Sequence, residues 1–495
     1  MFFKLLTAAL VAGVIVVGIP SSNGIALAAP TTTDTIWVNF NSPEEIPGRY
    51  FWNSSKLSHW DREYNVTPQK CDSERLDRKG GCSLSKPVKL VADLIAMNCQ
   101  ESNKEFCIRS FSVSESGSKL NLEPEGQLQG STVSGVKSLG LPSGGTSGLW
   151  SGISAAGKKL TYLVAPKLQM VYTQESGKFL ATTFSLEVVP YTELSKPGAE
   201  WLPNFESTTL PSGHTDAFSV PSGCEKALWI SDGNCGISQK LNPNEVFDLS
   251  IQLPKSLKGW FQANLTSPEI TIAQEKKFQT LFVSAAPGEY SVVTESEIPR
   301  ASIASNPGLS YVGSYGTQIG GYGLSQYFAL AIDWSVALAK HFKDVPTSIR
   351  HGWLLETMAI SDSAANNYGT NSPLISRCVQ STKGVVGIVN SNAMAADPTP
   401  PKLLNGFLIY QLADFHYLPD GVTPKLGRYF MAIRDDFARC IYNSRSIPIS
   451  ASIQVVGDAN ATGVSRKIKG WHQLSVDGFT YSKKTIKIKF NRANR

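Results

Sequence analysis

The 495-residue chain carries a formal net charge of +6, with 17% charged and 42% hydrophobic residues. That apolar content supplies a sizeable core and excludes general disorder, and the length suits about two or three domains. Sparse charge beside 41 Gly and 28 Pro disfavours long exposed helices and favours short strands joined by turns.

Met1-Phe2-Phe3-Lys4 sets a positive charge before an apolar run from Leu5 to Ile19, interrupted by Thr7 and broken at Pro20. Ala26-Leu27-Ala28 follows, so residues 1–28 read as a secretory signal peptide cut between Ala28 and Ala29. The run falls short of the roughly 18–20 apolar residues of a membrane span, and no later segment supplies one. The signal holds no cysteine for lipid attachment, and no LPxTG-like motif with an apolar tail closes the sequence. The expectation is a secreted, extracellular protein, free or held at the cell surface by contacts alone, with no transmembrane segment in the mature chain.

Eight cysteines remain after cleavage: Cys71, Cys82, Cys99, Cys107, Cys224, Cys235, Cys378 and Cys440. An even number in an exported chain reads as a disulfide framework. The simplest pairing joins 71–82, 99–107, 224–235 and 378–440, although sequence leaves other connectivities open. Zinc is disfavoured, because no C-x-x-C spacing occurs and no histidine clusters with the cysteines.

In chain order, Ile36-Trp37-Val38 opens a first strand. The polar stretch between Cys71 and Cys82 reads as an exposed loop. A helix is predicted near 87–99, with Ser85 as N-cap, Pro87 in the first turn and Val88, Val91, Leu94, Ile95 and Asn98 at helical spacing. Residues 126–148, rich in Gly and Ser, read as a flexible connection. Two runs flanking Gln174–Gly177 predict a hairpin with Leu168, Met170 and Tyr172 on one face. Ser231-Asp232-Gly233 marks a turn inside the 224–235 bridge. Phe247, Leu249, Ile251 and Leu253 alternate with polar residues as a half-buried strand. A second helix is predicted near 324–342, and beyond 385 the pattern is strand-like. The expected fold is mainly β: two or three β-sandwich-like domains with a few short helices, disulfide-stabilised. The borders are 29–192 (N-terminal), 193–300 (middle) and 301–495 (C-terminal, with a basic terminal strand pair).

Catalytic and metal signals are weak. Asp458–Gly463 matches the first half of an EF-hand loop, but Lys469 stands where calcium needs a bidentate carboxylate, so a β-turn is the better reading. No G-x-S-x-G occurs, and Ser325 after "GGYG" suits a helix start. The Gly-rich run before it lacks the lysine of a phosphate cradle. His59, His214, His341, His351, His416 and His472 form no metal or catalytic spacing, and Asp435-Asp436 on a strand would face opposite sides. No catalytic residue, metal ligand or cofactor is assigned.

From Val464 to Arg495 nine cations stand against Asp477 alone, more than the net charge of the whole chain, so the remainder is slightly acidic. Within it Lys483, Lys484, Lys487 and Lys489 alternate with apolar residues. They could meet an acidic envelope polymer or glycan, or guard an edge strand against pairing. The second reading is the stronger, since charge runs are usually solvated faces. Nucleic acid is disfavoured by export and by the lack of interleaved aromatics.

"GWHQLSVDGFTYSKKTIKIKF" resembles the C-terminal strand pair of a group of large exported actinobacterial proteins of unknown function. "PVKLVADLIAMNCQESNKEFCIRSFSV", "LKGWFQANLTSPEITI", "GIVNSNAMAADPTPPKLLNGFLIYQLADFHYLPDGV" and "RYFMAIRDDFARCIYN" are similar to the same group. The resemblance touches most of the mature chain in scattered blocks. It implies secretion, disulfides and a β-rich fold, and brings no catalytic residues. The expected function is a non-enzymatic structural or binding role at the envelope; the alternative is a secreted hydrolase of glycans or esters.

Overall fold

The computed structural model describes residues 35–40, 55–60, 69–70, 89–99, 105–115, 117–128, 130–195, 198–203, 219–222, 224, 227–231, 234–299, 318–321, 332, 336, 348–358, 377–379, 381–397, 399–445, 451–458 and 462–490. The signal peptide with Ala28 and Ala29, the Cys71–Cys82 loop and Ser325 lie outside them. The described chain is mainly β, with sheets that share strands. No helix among the described residues is long and apolar enough to cross a membrane.

One broad sheet runs, strand beside strand, through Gln69–Lys70, Lys56–Trp60, Lys89–Ile95, Lys167–Thr173, Lys178–Ser195, Leu354–Met358, Gly259–Gln274, Val385–Ser391, Leu426–Arg434, Trp471–Thr480 and Thr462–Ile468. A second sheet contains Ser118–Asn121, Cys107–Glu115, Val246–Pro254 and Phe278–Pro299. It rejoins the first through Gly259–Gln274, whose residues Trp260–Asn264 pair in the broad sheet while Leu265–Gln274 pair with Phe278–Pro299. Between Thr266 and Glu269 the register shifts, and Ser267 takes a φ of 47°, a bulge that turns the strand from one sheet to the other.

The inner faces of these two sheets meet in an apolar core. Phe111, Phe247, Leu249, Ile251, Leu281 and Val283 come from one side, and Leu94, Leu168, Phe184, Leu186, Phe261 and Leu355 from the other. A third sheet, Ala395–Ala396, Phe407–Ala413, Lys484–Phe490 and Ala451–Val455, with Lys402–Leu404 beside Phe407–Ala413, covers the opposite face of the broad sheet. Leu408, Tyr410, Leu412, Ile486 and Ile488 pack there against Trp260, Val386, Val389, Met431 and Ile433. Strand Val385–Ser391 lies between the two cores and is buried at every position, as a covered inner strand must be.

The hairpin of Lys167–Thr173 with Lys178–Ser195 and the strand Val246–Pro254 form as expected, with Leu168, Met170, Phe247, Leu249, Ile251 and Leu253 all buried. Ser231 pairs across from Asn234 inside the Cys224–Cys235 bridge. The helix expected near 87–99 is instead strand Lys89–Ile95 followed by Met97–Asn98. Leu90, Ala92 and Leu94 recur at a period of two instead. These three face the core, while Asp93 on the other face accepts a 2.9 Å hydrogen bond from Gln169; so short an apolar run cannot fix its own period.

The expected flexible connection 126–148 is also corrected, because it packs. Val133 bridges Gly144, Val136 bridges Leu141, and Leu128, Val133 and Leu141 are buried. A Cβ on Gly144 would fall 2.9 Å from Leu94 Cδ2, and one on Gly145 2.2 Å from Met97 Cγ. These glycines serve close backbone approach rather than freedom.

The sheets do not follow the expected partition at 192 and 300. Strand Lys178–Ser195 runs through the first border, Val246–Pro254 pairs with Cys107–Glu115, and Gly259–Gln274 pairs with Val385–Ser391. Of the helix expected near 324–342, Ile332 and Val336 are described and helical, and both pack on the second core.

Glycine sits across from an aromatic ring at three places: Gly387 opposite Trp260, Gly427 opposite Phe479 and Gly236 opposite Trp229. In each case the ring lies over the bare backbone where a Cβ would stand. Gly387→Ala would set its Cβ 2.2 Å from Trp260 Cε3, so urea unfolding should show a loss of about 1–3 kcal/mol from overpacking. Gly126→Ala, which meets nothing within 4 Å, should stay within about 0.5 kcal/mol of the parent.

Candidate functional site

Among the described residues the expected disulfides Cys99–Cys107, Cys224–Cys235 and Cys378–Cys440 form, with Cα separations of 4.9, 6.1 and 5.8 Å, while Cys71–Cys82 lies outside them. The Cys378–Cys440 bridge closes a sequence separation of 62 residues, which in a chain-entropy account removes about 4 kcal/mol of unfolded-state freedom. It anchors helix Asp435–Ile441. That helix was not foreseen; Asp435 and Asp436, expected on a strand, form its first turn, where carboxylates complement the helix dipole, and Phe437, Ala438 and Ile441 are buried beneath it.

The basic strand is not an edge. Lys484–Phe490 pairs with Phe407–Ala413 on one side and Ala451–Val455 on the other, which overturns the edge-guard reading. Its period of two also splits the lysines. Lys484 lies on the buried side with Ile486, Ile488 and Phe490, whereas Lys487 and Lys489 point outward. Lys483 is exposed in the preceding turn. Elsewhere in the basic region, Arg466 donates to Gln473 at 2.9 Å, and Lys469 with Gly470 makes the positive-φ turn between Thr462–Ile468 and Trp471–Thr480.

Two polar centres that sequence did not indicate lie where layers join. In the first, Lys425 Nζ meets Asp414 Oδ2 at 2.5 Å, with side-chain exposures of 3% and 0%. Asp414 also accepts from Ser291 Oγ and from the backbone N–H groups of Met394 and Phe415, at 2.7–2.8 Å. Lys425 donates to Ser291 Oγ at 2.8 Å and lies over the Tyr481 ring. Tyr481 OH and Arg428 N both donate to Asn392 Oδ1.

A serine beside a lysine can form a nucleophile–base pair. Here the ammonium is committed to Asp414 and Ser291 is fully buried, so the arrangement acts as a polar clamp joining strand Phe278–Pro299, the end of Phe407–Ala413 and the start of Leu426–Arg434.

The second centre surrounds Asp435. His472 Nε2 donates to Asp435 Oδ1 at 2.7 Å, Lys467 Nζ at 2.8 Å, and Arg439 Nε lies 3.3 Å from Oδ2. Burial works to raise the Asp435 carboxyl, but the bonds from Lys467 and His472 outweigh it and hold it below its ordinary range. His472, with no side-chain exposure, is pushed down by burial against the pull of Asp435, which favours the neutral ring, and the Asp435 carboxylate selects the tautomer protonated at Nε2. Its Nδ1 has no hydrogen-bond partner among the described residues, and its ring meets Phe490 edge-on. Next to it, Arg434 grips Asp436 with Nε at 2.8 Å and Nη2 at 2.5 Å.

Of the other histidines, His351 lies 3.9 Å from Glu289, and His416 Nδ1 meets the Tyr481 carbonyl at 2.6 Å. His214 and His341 lie outside the described residues, and His59 stands on strand Lys56–Trp60. Asp458 braces a turn, accepting from Thr480 N at 2.9 Å. Among the described residues no cluster of three His, Cys, Asp or Glu is placed to hold a metal.

No protein-family model matches the chain, and no curated protein matches it.

Lys425→Met leaves the Asp414 charge buried and uncompensated, so urea melts should show a loss of about 3–5 kcal/mol. Adding Asp414→Asn, which removes the second charge, should recover part of it.

For His472, a folded pKa below the ordinary 6.5 means that the unfolded chain binds the proton first. Stability is therefore full above about pH 6.5 and falls as pH drops toward the folded pKa. The urea midpoint should decline from pH 7.5 to 5.5, and less steeply in His472→Gln. His351, also pushed down by burial, supplies residual slope.

Proposed function

We propose that the protein is exported and acts at the cell surface through binding or structure, with no catalytic step, in the manner of the exported actinobacterial proteins its sequence resembles. The observation that carries the export reading is the disulfide set. Three cysteine pairs are oxidised, a state that persists outside a reducing cytoplasm. The non-enzymatic part is supported by the use made of the two ionic centres: buried Asp414, Lys425 and His472 and half-buried Asp435 spend their hydrogen bonds on holding layers together. The outward Lys487 and Lys489 support contact with an acidic envelope polymer or glycan.

Protein recovered from its native location and alkylated without reduction should carry no label on Cys378 or Cys440. Protease added to intact cells should degrade it while sparing a cytoplasmic marker. Free thiols at those positions, or full protection from the protease, would overturn the reading.

A further inference from the structure

The outer face of the third sheet carries a row that crosses four strands in register: Lys402 opposite Ile409, Ile409 opposite Lys487, and Lys487 opposite Gln454. Beside it Lys489 lies over the ring of Phe407, 5.2 Å from its centroid. Strand geometry sets Lys487 and Lys489 roughly 7 Å apart along one strand, and Lys402 roughly 10 Å away across two. Lys402, Gln454 and Lys489 are exposed, while Phe407, Ile409 and Lys487 are half-buried. Lys402 pairs with Asp397 at 3.3 Å, and its own side chain remains 58% exposed while that of Asp397 is 15% exposed. The row thus sets three cations beside one largely covered acid, together with an amide and aliphatic ground.

We propose that this face binds an acidic polysaccharide laid across the strands. Lys402, Lys487 and Lys489 meet its carboxylates, the Gln454 amide meets its hydroxyls, and Ile409 and Phe407 lie under the C–H faces of its rings. Three physical features favour this occupant. Spaced ammonium groups match a polymer with repeated charge. The amide can both donate to and accept from sugar hydroxyls. The one aromatic ring of this row is covered by an ammonium, so it offers no open platform for stacked bases. The inference rests on the surface-binding reading above and gives it a location and a ligand class. Individual lysine contacts on an exposed face are weak, and a polymer compensates by engaging many copies at once.

The test uses the full-length secreted protein, immobilised polygalacturonate, and the same polymer fully methyl-esterified. The parent should bind the acid form, release as salt is raised, and ignore the ester. Lys402→Gln/Lys487→Gln/Lys489→Gln should bind the acid form roughly tenfold more weakly at low salt, with an unchanged thermal midpoint that confirms folding. Equal binding by parent and variant, equal binding to acid and ester, or preference for anionic lipid vesicles would overturn the proposal. Retention of the triple variant on purified cell envelopes at the parent level would also overturn this face as the contact, while leaving surface association intact. Protease protection in intact cells would remove surface association whatever the polymer result.

Discussion

A strand that leaves one sheet for another carries unpaired N–H and C=O groups into an apolar interior, where each costs about as much as a lost hydrogen bond. The architecture depends on side chains that take those groups up. Where Gly259–Gln274 departs from Val385–Ser391 after Ala263, the Asn390 amide continues the ladder, accepting from Leu265 N at 2.8 Å and donating to Leu265 O at 3.0 Å. Thr357 does the same with one hydroxyl, accepting from Phe184 N and donating to Phe184 O. Gln279, fully buried, donates to Pro254 O and Leu257 O and accepts from Val385 N. Ser55 accepts from Ile95 N and donates to Gly145 O. Without these substitutes the sheets could not branch inside a dry core.

Branching in turn lets one sheet serve two cores. The middle strands are apolar on both faces, with Phe261, Ile388 and Ala432 on one side and Trp260, Val389 and Met431 on the other. Glu356 is held within the broad sheet, accepting from Gln262 at 2.8 Å, and two further ionic centres stand at the joints between layers. Asp414 and Lys425 sit where the outer sheet passes into the middle one, and Asp435 and His472 where the helix meets the hairpin beyond it. A buried ion pair contributes little net stability compared with apolar residues of the same shape. Its directional bonds fix which strand end meets which, and that is the role its five hydrogen bonds suit.

Much of the local pattern was legible from residues alone, because alternation states its own answer when a run is long enough. Val246–Pro254 and the Lys167–Ser195 hairpin declared both type and inward face, the close cysteine spacings declared the 99–107 and 224–235 bridges, and 378–440 followed as the remaining pair. Lys89–Ile95 did not: seven residues fit both periods, and its strand partners, Lys56–Trp60 and Lys167–Thr173, are set by tertiary pairing. The glycines of 126–148 looked like freedom because the chain they press against is distant in sequence. Ser291 and Asp414 stand 123 residues apart, and Ser291 and Lys425 134 apart, so no local signal could join them. Helix Asp435–Ile441 is short, and its N-cap residue makes no side-chain cap bond, which removed the usual marker of a helix start.

The terminal lysines show how one sequence feature divides once a strand is placed. Alternation in "KKTIKIKF" correctly implied a wet face and a dry face, but said nothing about what lay on either flank. With partners on both sides, the strand has no free backbone edge to protect, and the charge on its outer face needs another physical account. Parity carries Lys484 inward beside Ile486, leaving Lys487 and Lys489 outside, where the register adds Lys402 from a segment some eighty residues earlier in the chain. The positive field of the outer sheet is therefore a property of strand pairing rather than of a basic tail. The charge is dispersed among amides and aliphatic groups, and a surface of that kind suits an extended polar anion better than a compact one.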